Sequence, residues 1–139
     1  MSNTSLFRRK KVLVVEDHVE LLELLRTQFK DEGFATATAT NGVDAVRKAR
    51  TLSPDLILLD VMLPEMDGFA VCETLRQDSQ TRDIPIIMVS GLSSQLSRSA
   101  GIEAGATEFV TKPVTPANLV IRVRQIFEQR AAAEACVPA

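Results

Sequence analysis

Cysteine and histidine are scarce in this chain: its 139 residues include only Cys72, Cys136 and a single histidine, His18. The two cysteines lie far apart and belong to no C-x-x-C or Cys/His pattern. A disulfide framework, a zinc site and a thiol nucleophile are therefore disfavoured, and a reducing compartment fits. One imidazole cannot build a histidine-rich metal centre. No apolar run approaches the length of a membrane-spanning helix, and Met1 to Lys11 carries basic residues without the hydrophobic stretch of a signal peptide. Charge of one sign is also lacking. A net charge of -2 argues neither for nor against nucleic acid or membrane as a partner. What remains is a single soluble domain, 45% hydrophobic and 24% charged, expected in the cytoplasm.

Apolar runs and helical patterns alternate along the chain. Val12 to Val15, Leu56 to Leu59 and Ile84 to Val89 are short, almost purely apolar and rich in branched residues, as strands buried on both faces of a parallel sheet must be. Phe34 to Thr40 mixes alanine and threonine, as a half-exposed edge strand would, and Glu108 to Val110 suits the opposite edge. Leu21, Leu22, Leu25 and Phe29 recur at helical spacing, with Gly33 as a stop. Asn41 offers an N-cap ahead of Ala45, Val46, Ala49 and Leu52. Phe69, Cys72 and Leu75 mark a third helix. Thr115 and Pro116 open a fifth, whose inward stripe is Leu119, Val123, Ile126 and Phe127. Four serines and Gly101 between Ser93 and Gly105 predict a short or mobile fourth helix. Five β–α units in strict alternation imply a doubly wound α/β sandwich over residues 10–130, between a flexible basic lead-in (1–9) and an alanine-rich tail (131–139). Arg122, Arg124 and Arg130 read as the exposed side of the last helix.

Ligands of such sheets bind at the carboxyl ends of the strands. Glu16 and Asp17 end the first strand, Asp60 the third and Ser90 the fourth, while Lys112 follows the fifth. Three carboxylates brought together need compensating charge, which a hard divalent cation with oxygen ligands supplies. Lys112 adds a point charge for an anionic ligand and Ser90 a hydrogen-bond donor. Such surroundings suit phosphoryl transfer to an aspartate already ionised at neutral pH. Each residue alone has an ordinary reading: the acidic pair as a helix cap, Asp60 as a loop residue before Pro64, Lys112 as a solvated lysine, Ser90 as a turn former. Their joint occurrence at separate strand ends is what points to a site.

Lys11 to Asp17 (KVLVVED), Asp55 to Gly68 (DLILLDVMLPEMDG), Ile84 to Gly91 (IPIIMVSG) and Gly105 to Pro113 (GATEFVTKP) resemble the receiver domain of bacterial two-component response regulators. The resemblance implies a flavodoxin-like three-layer (βα)5 sandwich with a five-stranded parallel sheet in the order 2-1-3-4-5. It implies Asp60 as phosphoacceptor and Asp17 as a direct Mg²⁺ ligand. Glu16 would act on the metal through water, and the Met62 carbonyl would be a further ligand; Mn²⁺ could substitute. Ser90 and Lys112 would hold phosphoryl oxygens, Phe109 would be a switch aromatic, and Lys112–Pro113 a cis peptide. The implied donor is a phosphohistidine on a histidine kinase or histidine phosphotransfer protein.

The resemblance also assigns rate-tuning positions to Met62, Gly91 and Leu92. Met62 and Leu92 are apolar and cannot orient an attacking water, so an unaccelerated self-hydrolysis is expected. Gly91 leaves the crevice open to a donor. Phe109 has no hydroxyl, so any switch there rests on packing. The readout is expected at the α4–β5–α5 surface, as a homodimer contact or toward another protein. No direct nucleic-acid or membrane binding is expected, and no catalysis beyond the chain's own phosphorylation and dephosphorylation. Two alternatives stand beside this reading. One is a receiver-like module that binds partners without phosphorylation. The other is a haloacid-dehalogenase-like phosphatase, whose acid/base residue two positions after the nucleophile is here Met62.

Overall fold

The computed structural model describes residues 9–92 and 94–135. Most of the lead-in, the end of the tail and Cys136 lie outside them. In chain order the elements are β1 (Lys11–Val15), α1 (Val19–Asp31), β2 (Ala35–Ala39), α2 (Gly42–Leu52), β3 (Leu56–Asp60), α3 (Gly68–Gln77), β4 (Ile86–Ser90), α4 (Gln95–Ala104), β5 (Glu108–Thr111) and α5 (Pro116–Ala135). All neighbouring strands pair in parallel, and the sheet order is β2-β1-β3-β4-β5. Among the described residues no helix is long and apolar enough to cross a membrane.

Strand alternation divides the core in two. Leu13, Val15, Ile57, Leu59, Ile86 and Met88 face α2, α3 and α4, packing on Ala45, Ala49, Val71, Cys72 and Leu75. Val12, Val14, Leu56, Leu58, Ile87 and Val89 face α1 and α5, packing on Leu22, Leu25, Phe29, Leu119 and Val123. Every residue of β3 and β4 is buried, as central strands covered on both faces require. Each large side chain so buried contributes roughly 1.5–3 kcal/mol.

Local chemistry starts the helices where the pattern predicts. The Asn41 side chain accepts the Asp44 N–H at 2.7 Å, and Thr115 Oγ1 accepts the Asn118 N–H at 3.1 Å. Two expectations need correction. The fourth strand begins at Ile86 rather than Ile84, because Pro85 has no N–H and the Ile84 carbonyl is taken by Arg76 at 2.6 Å. Leu52, the last residue of α2, is exposed, while its carbonyl accepts Lys11 Nζ at 2.9 Å. Arg122 and Arg124 lie on the exposed side of α5, as expected, and there pair with Glu108 and Glu32, each at 2.8 Å. Lys11 opens β1, and Lys10 Nζ lies 5.4 Å from the Phe127 ring. The fourth helix is ten residues long, capped by Ser94, and buries only Gly101 and Ala104. The last helix continues to Ala135 through part of the expected tail.

Candidate functional site

The parallel register fixes which residues meet. Val15 aligns with Leu59 and Asp60 with Val89, so the turn after β1 and the ends of β3 and β4 reach the same edge of the sheet. Thr111 aligns with Ser90, and the Lys112 N–H donates to the Ser90 carbonyl at 2.7 Å. Lys112 is thereby seated just past the end of β5, and its peptide bond to Pro113 is cis.

Carboxylate oxygens of Glu16, Asp17 and Asp60 all lie within 4.8 Å of one another. Glu16 and Asp60 are buried, whereas Asp17 is exposed. Lys112 Nζ lies 3.4 Å from Glu16 Oε1 and 3.6 Å from Asp60 Oδ2. The His18 N–H donates to Glu16 Oε2 at 3.1 Å, and the Met62 N–H donates to Asp60 Oδ1 at 3.3 Å. Burial raises the pKa of Glu16, and the neighbouring charge of Asp60 raises it further; the His18 N–H and Lys112 act the other way. A cavity of about 430 Å³ adjoins the group, walled by Leu21, Leu25, Leu58, Val114 and Leu119. Apolar walls strengthen every charge interaction at its rim. One lysine facing three carboxylates leaves a negative excess, and the donor set is all oxygen. Both features fit a hard divalent cation.

The remaining expected residues surround this group at different depths. Ser90 is fully buried, and its Oγ accepts the Leu92 N–H at 2.9 Å. The Met62 and Leu92 side chains are exposed, at 64% and 40%, so they rim the crevice rather than fill it. A side chain at Gly91 would meet open space. Phe109 is buried on the opposite face of β5 from Val110, against the α2–α3–α4 side of the core.

Two contributors lack a simple sequence signal. Arg98 of α4 donates to the Phe109 carbonyl at 2.9 Å and to Thr111 Oγ1 at 3.2 Å, with its guanidinium 5.4 Å from the Phe109 ring. Gly68 opens α3 directly behind Asp60, where a Cβ would lie 2.5 Å from the Asp60 carbonyl oxygen. The glycine lets α3 start against the strand end, and its N–H closes the intervening loop onto the Val61 carbonyl at 2.8 Å.

The family model described as the response regulator receiver domain matches residues 12–124. Among curated proteins, the chain is 40% identical over 120 residues to the alkaline phosphatase synthesis transcriptional regulatory protein PhoP of Bacillus subtilis, covering 86% of this chain and 49% of that protein. It is 42% identical over 116 residues to the DNA-binding response regulator MtrA of Mycolicibacterium paratuberculosis, covering 84% of this chain and 50% of the relative. The chain thus spans about half the length of the curated relatives it matches. Among solved structures, the receiver domain of the Francisella response regulator 1452 superposes with a TM-score of 0.81 at 30% identity, covering 88% of this chain and 99% of that one.

Proposed function

The chain belongs to the response regulator receiver domain family, and on that premise we propose that Asp60 is its phosphoacceptor. The observation that carries the assignment is the buried Asp60 carboxylate, 3.6 Å from the Lys112 ammonium within a group of three carboxylates. In the proposed reaction, an Asp60 carboxylate oxygen forms a bond to phosphorus as the bond from phosphorus to a donor histidine nitrogen breaks. The imidazole leaves, and the product is an acyl phosphate. A carboxylate nucleophile calls for no strong base, so the surrounding groups act by position and charge. The Met62 N–H and Lys112 hold the carboxylate before attack. Afterwards Lys112 and the Ser90 hydroxyl hold phosphoryl oxygens.

Asp17, Asp60 and the Met62 carbonyl would hold Mg²⁺, with Glu16 reaching it through water. The bound ion would offset the charge gathered on carboxylate and phosphoryl oxygens. Residues 10–130 form the switching unit. Donors are a histidine kinase or a histidine phosphotransfer protein, and the chain's only chemistry is on itself. The readout is the surface of α4, β5 and α5, read by a second copy or another protein. Exposed Leu96, Ile102 and Ile121 on α4 and α5 support this choice.

Intact-mass measurement after incubation with phosphoramidate and Mg²⁺ tests the proposal. One added phosphate is expected on the wild type and none on Asp60→Asn. An unmodified wild type, or an undiminished adduct on the variant, contradicts it.

A further inference from the structure

Gly42, at the start of α2, is distant in sequence from every residue of the site, yet it is pressed against the loop that leaves Asp60. It is buried, and its N–H makes a long hydrogen bond of 3.4 Å to the Pro64 carbonyl. A Cβ at this position would lie 2.0 Å from the Met66 carbonyl oxygen and 2.8 Å from the Met66 carbonyl carbon. Those obstacles are backbone, which cannot step aside as a side chain could. The helix therefore abuts the loop at a distance that only glycine allows.

That loop is wound tightly. The Met66 N–H donates to the Pro64 carbonyl at 2.8 Å, the Leu63 N–H to the Val61 carbonyl at 3.1 Å and the Gly68 N–H to the same carbonyl at 2.8 Å. Glu65 takes a left-handed backbone conformation, φ 70°, and Leu63 and Met66 pack onto the core. A loop so closed transmits displacement instead of absorbing it. Near its start, the Met62 N–H donates to Asp60 Oδ1 at 3.3 Å. Pressure applied at Met66 thus reaches the orientation of the Asp60 carboxylate.

We propose that Gly42 is a positioning residue for Asp60: the start of α2 is a stop that sets where the Asp60–Met66 segment lies. The inference rests on Asp60 being the phosphoacceptor. A purely helical role predicts the opposite sign, because alanine at an early helical position is favoured over glycine.

The test uses beryllofluoride with Mg²⁺ as a probe of site geometry, in parallel with thermal unfolding followed by circular dichroism. Gly42→Ala is compared with wild type at a temperature where both are folded. Because misplacing reactive groups by about an ångström can cost up to 100-fold, an affinity loss of at least about tenfold is expected for the folded variant. Pro64→Gly, which loosens the loop without adding bulk, should weaken the probe in the same direction by a smaller factor. Val43→Ala, the adjacent exposed position, should leave it unchanged. A folded Gly42→Ala protein with wild-type affinity overturns the inference. Should Gly42→Ala fail to fold, Pro64→Gly decides alone, and wild-type affinity there overturns it. If the wild type itself fails to bind the probe, the assignment of Asp60 falls instead, so the two failures are distinguishable.

Discussion

At the scale of single residues, the site stores an unfavourable interaction. Glu16 and Asp60 are both buried, and Lys112 is the cation shared between them. The Glu16 pKa is raised above its ordinary 4.5 by burial and by Asp60, so between those two values the folded chain binds a proton that the unfolded chain does not. Glu16 therefore favours folding at low pH, and this contribution is lost as pH rises through its raised value. In chelator-treated protein, Glu16→Gln should be more stable than wild type at neutral pH by on the order of 1 kcal/mol. The advantage should shrink as pH falls toward 4.5. Urea unfolding across that range checks it, and parallel pH dependences for the two proteins would contradict it. Lys112→Ala should leave Mg²⁺ affinity largely intact, because the lysine is no ligand. It should nevertheless uncouple phosphorylation from the conformational change, so hydrogen exchange in α4 and β5 would no longer respond to beryllofluoride. A response as large as the wild type's would sink that role.

At the scale of elements, what could be read in advance was local, and what could not be was long-range. The caps Asn41 and Thr115 satisfy N–H groups three residues away, so their meaning lies within one helical turn. Asn41→Ala should lower stability by about 1 kcal/mol in chemical denaturation, and no loss would contradict the cap. The five strand–helix units were visible for a related reason, since burial on two faces imposes unbroken apolar runs. The site's constellation was legible because strand ends in such a sheet converge. Its pairing was not, because Lys112 and Glu16 are 96 positions apart. The late start of β4 depends on Arg76 reaching from α3, and no local pattern announces it. α4 is the least anchored helix: it buries two small residues and holds β5 largely through Arg98. Arg98→Ala should raise amide exchange in residues 95–104 several-fold while leaving α2 and α3 unchanged; a uniform effect, or none, would contradict this.

At the scale of the whole molecule, the fold gathers charge at one edge of a sheet whose body is apolar. Four of the five parallel strands, β1, β3, β4 and β5, set Glu16, Asp60, Ser90 and Lys112 at their carboxyl ends, and helices cover both faces below. The crevice is rimmed by the exposed side chains of Met62 and Leu92, neither of which can direct a water by hydrogen bonding. The phosphorylated protein should accordingly decay without acceleration, and a lifetime of only seconds with Mg²⁺ would contradict that expectation. Borohydride reduction of protein phosphorylated by phosphoramidate and Mg²⁺ converts an aspartyl phosphate to homoserine, which peptide mass spectrometry can locate. The predicted result is homoserine at position 60 alone. Homoserine at any other carboxylate, or a phosphate that survives reduction on a hydroxyl, would contradict the account.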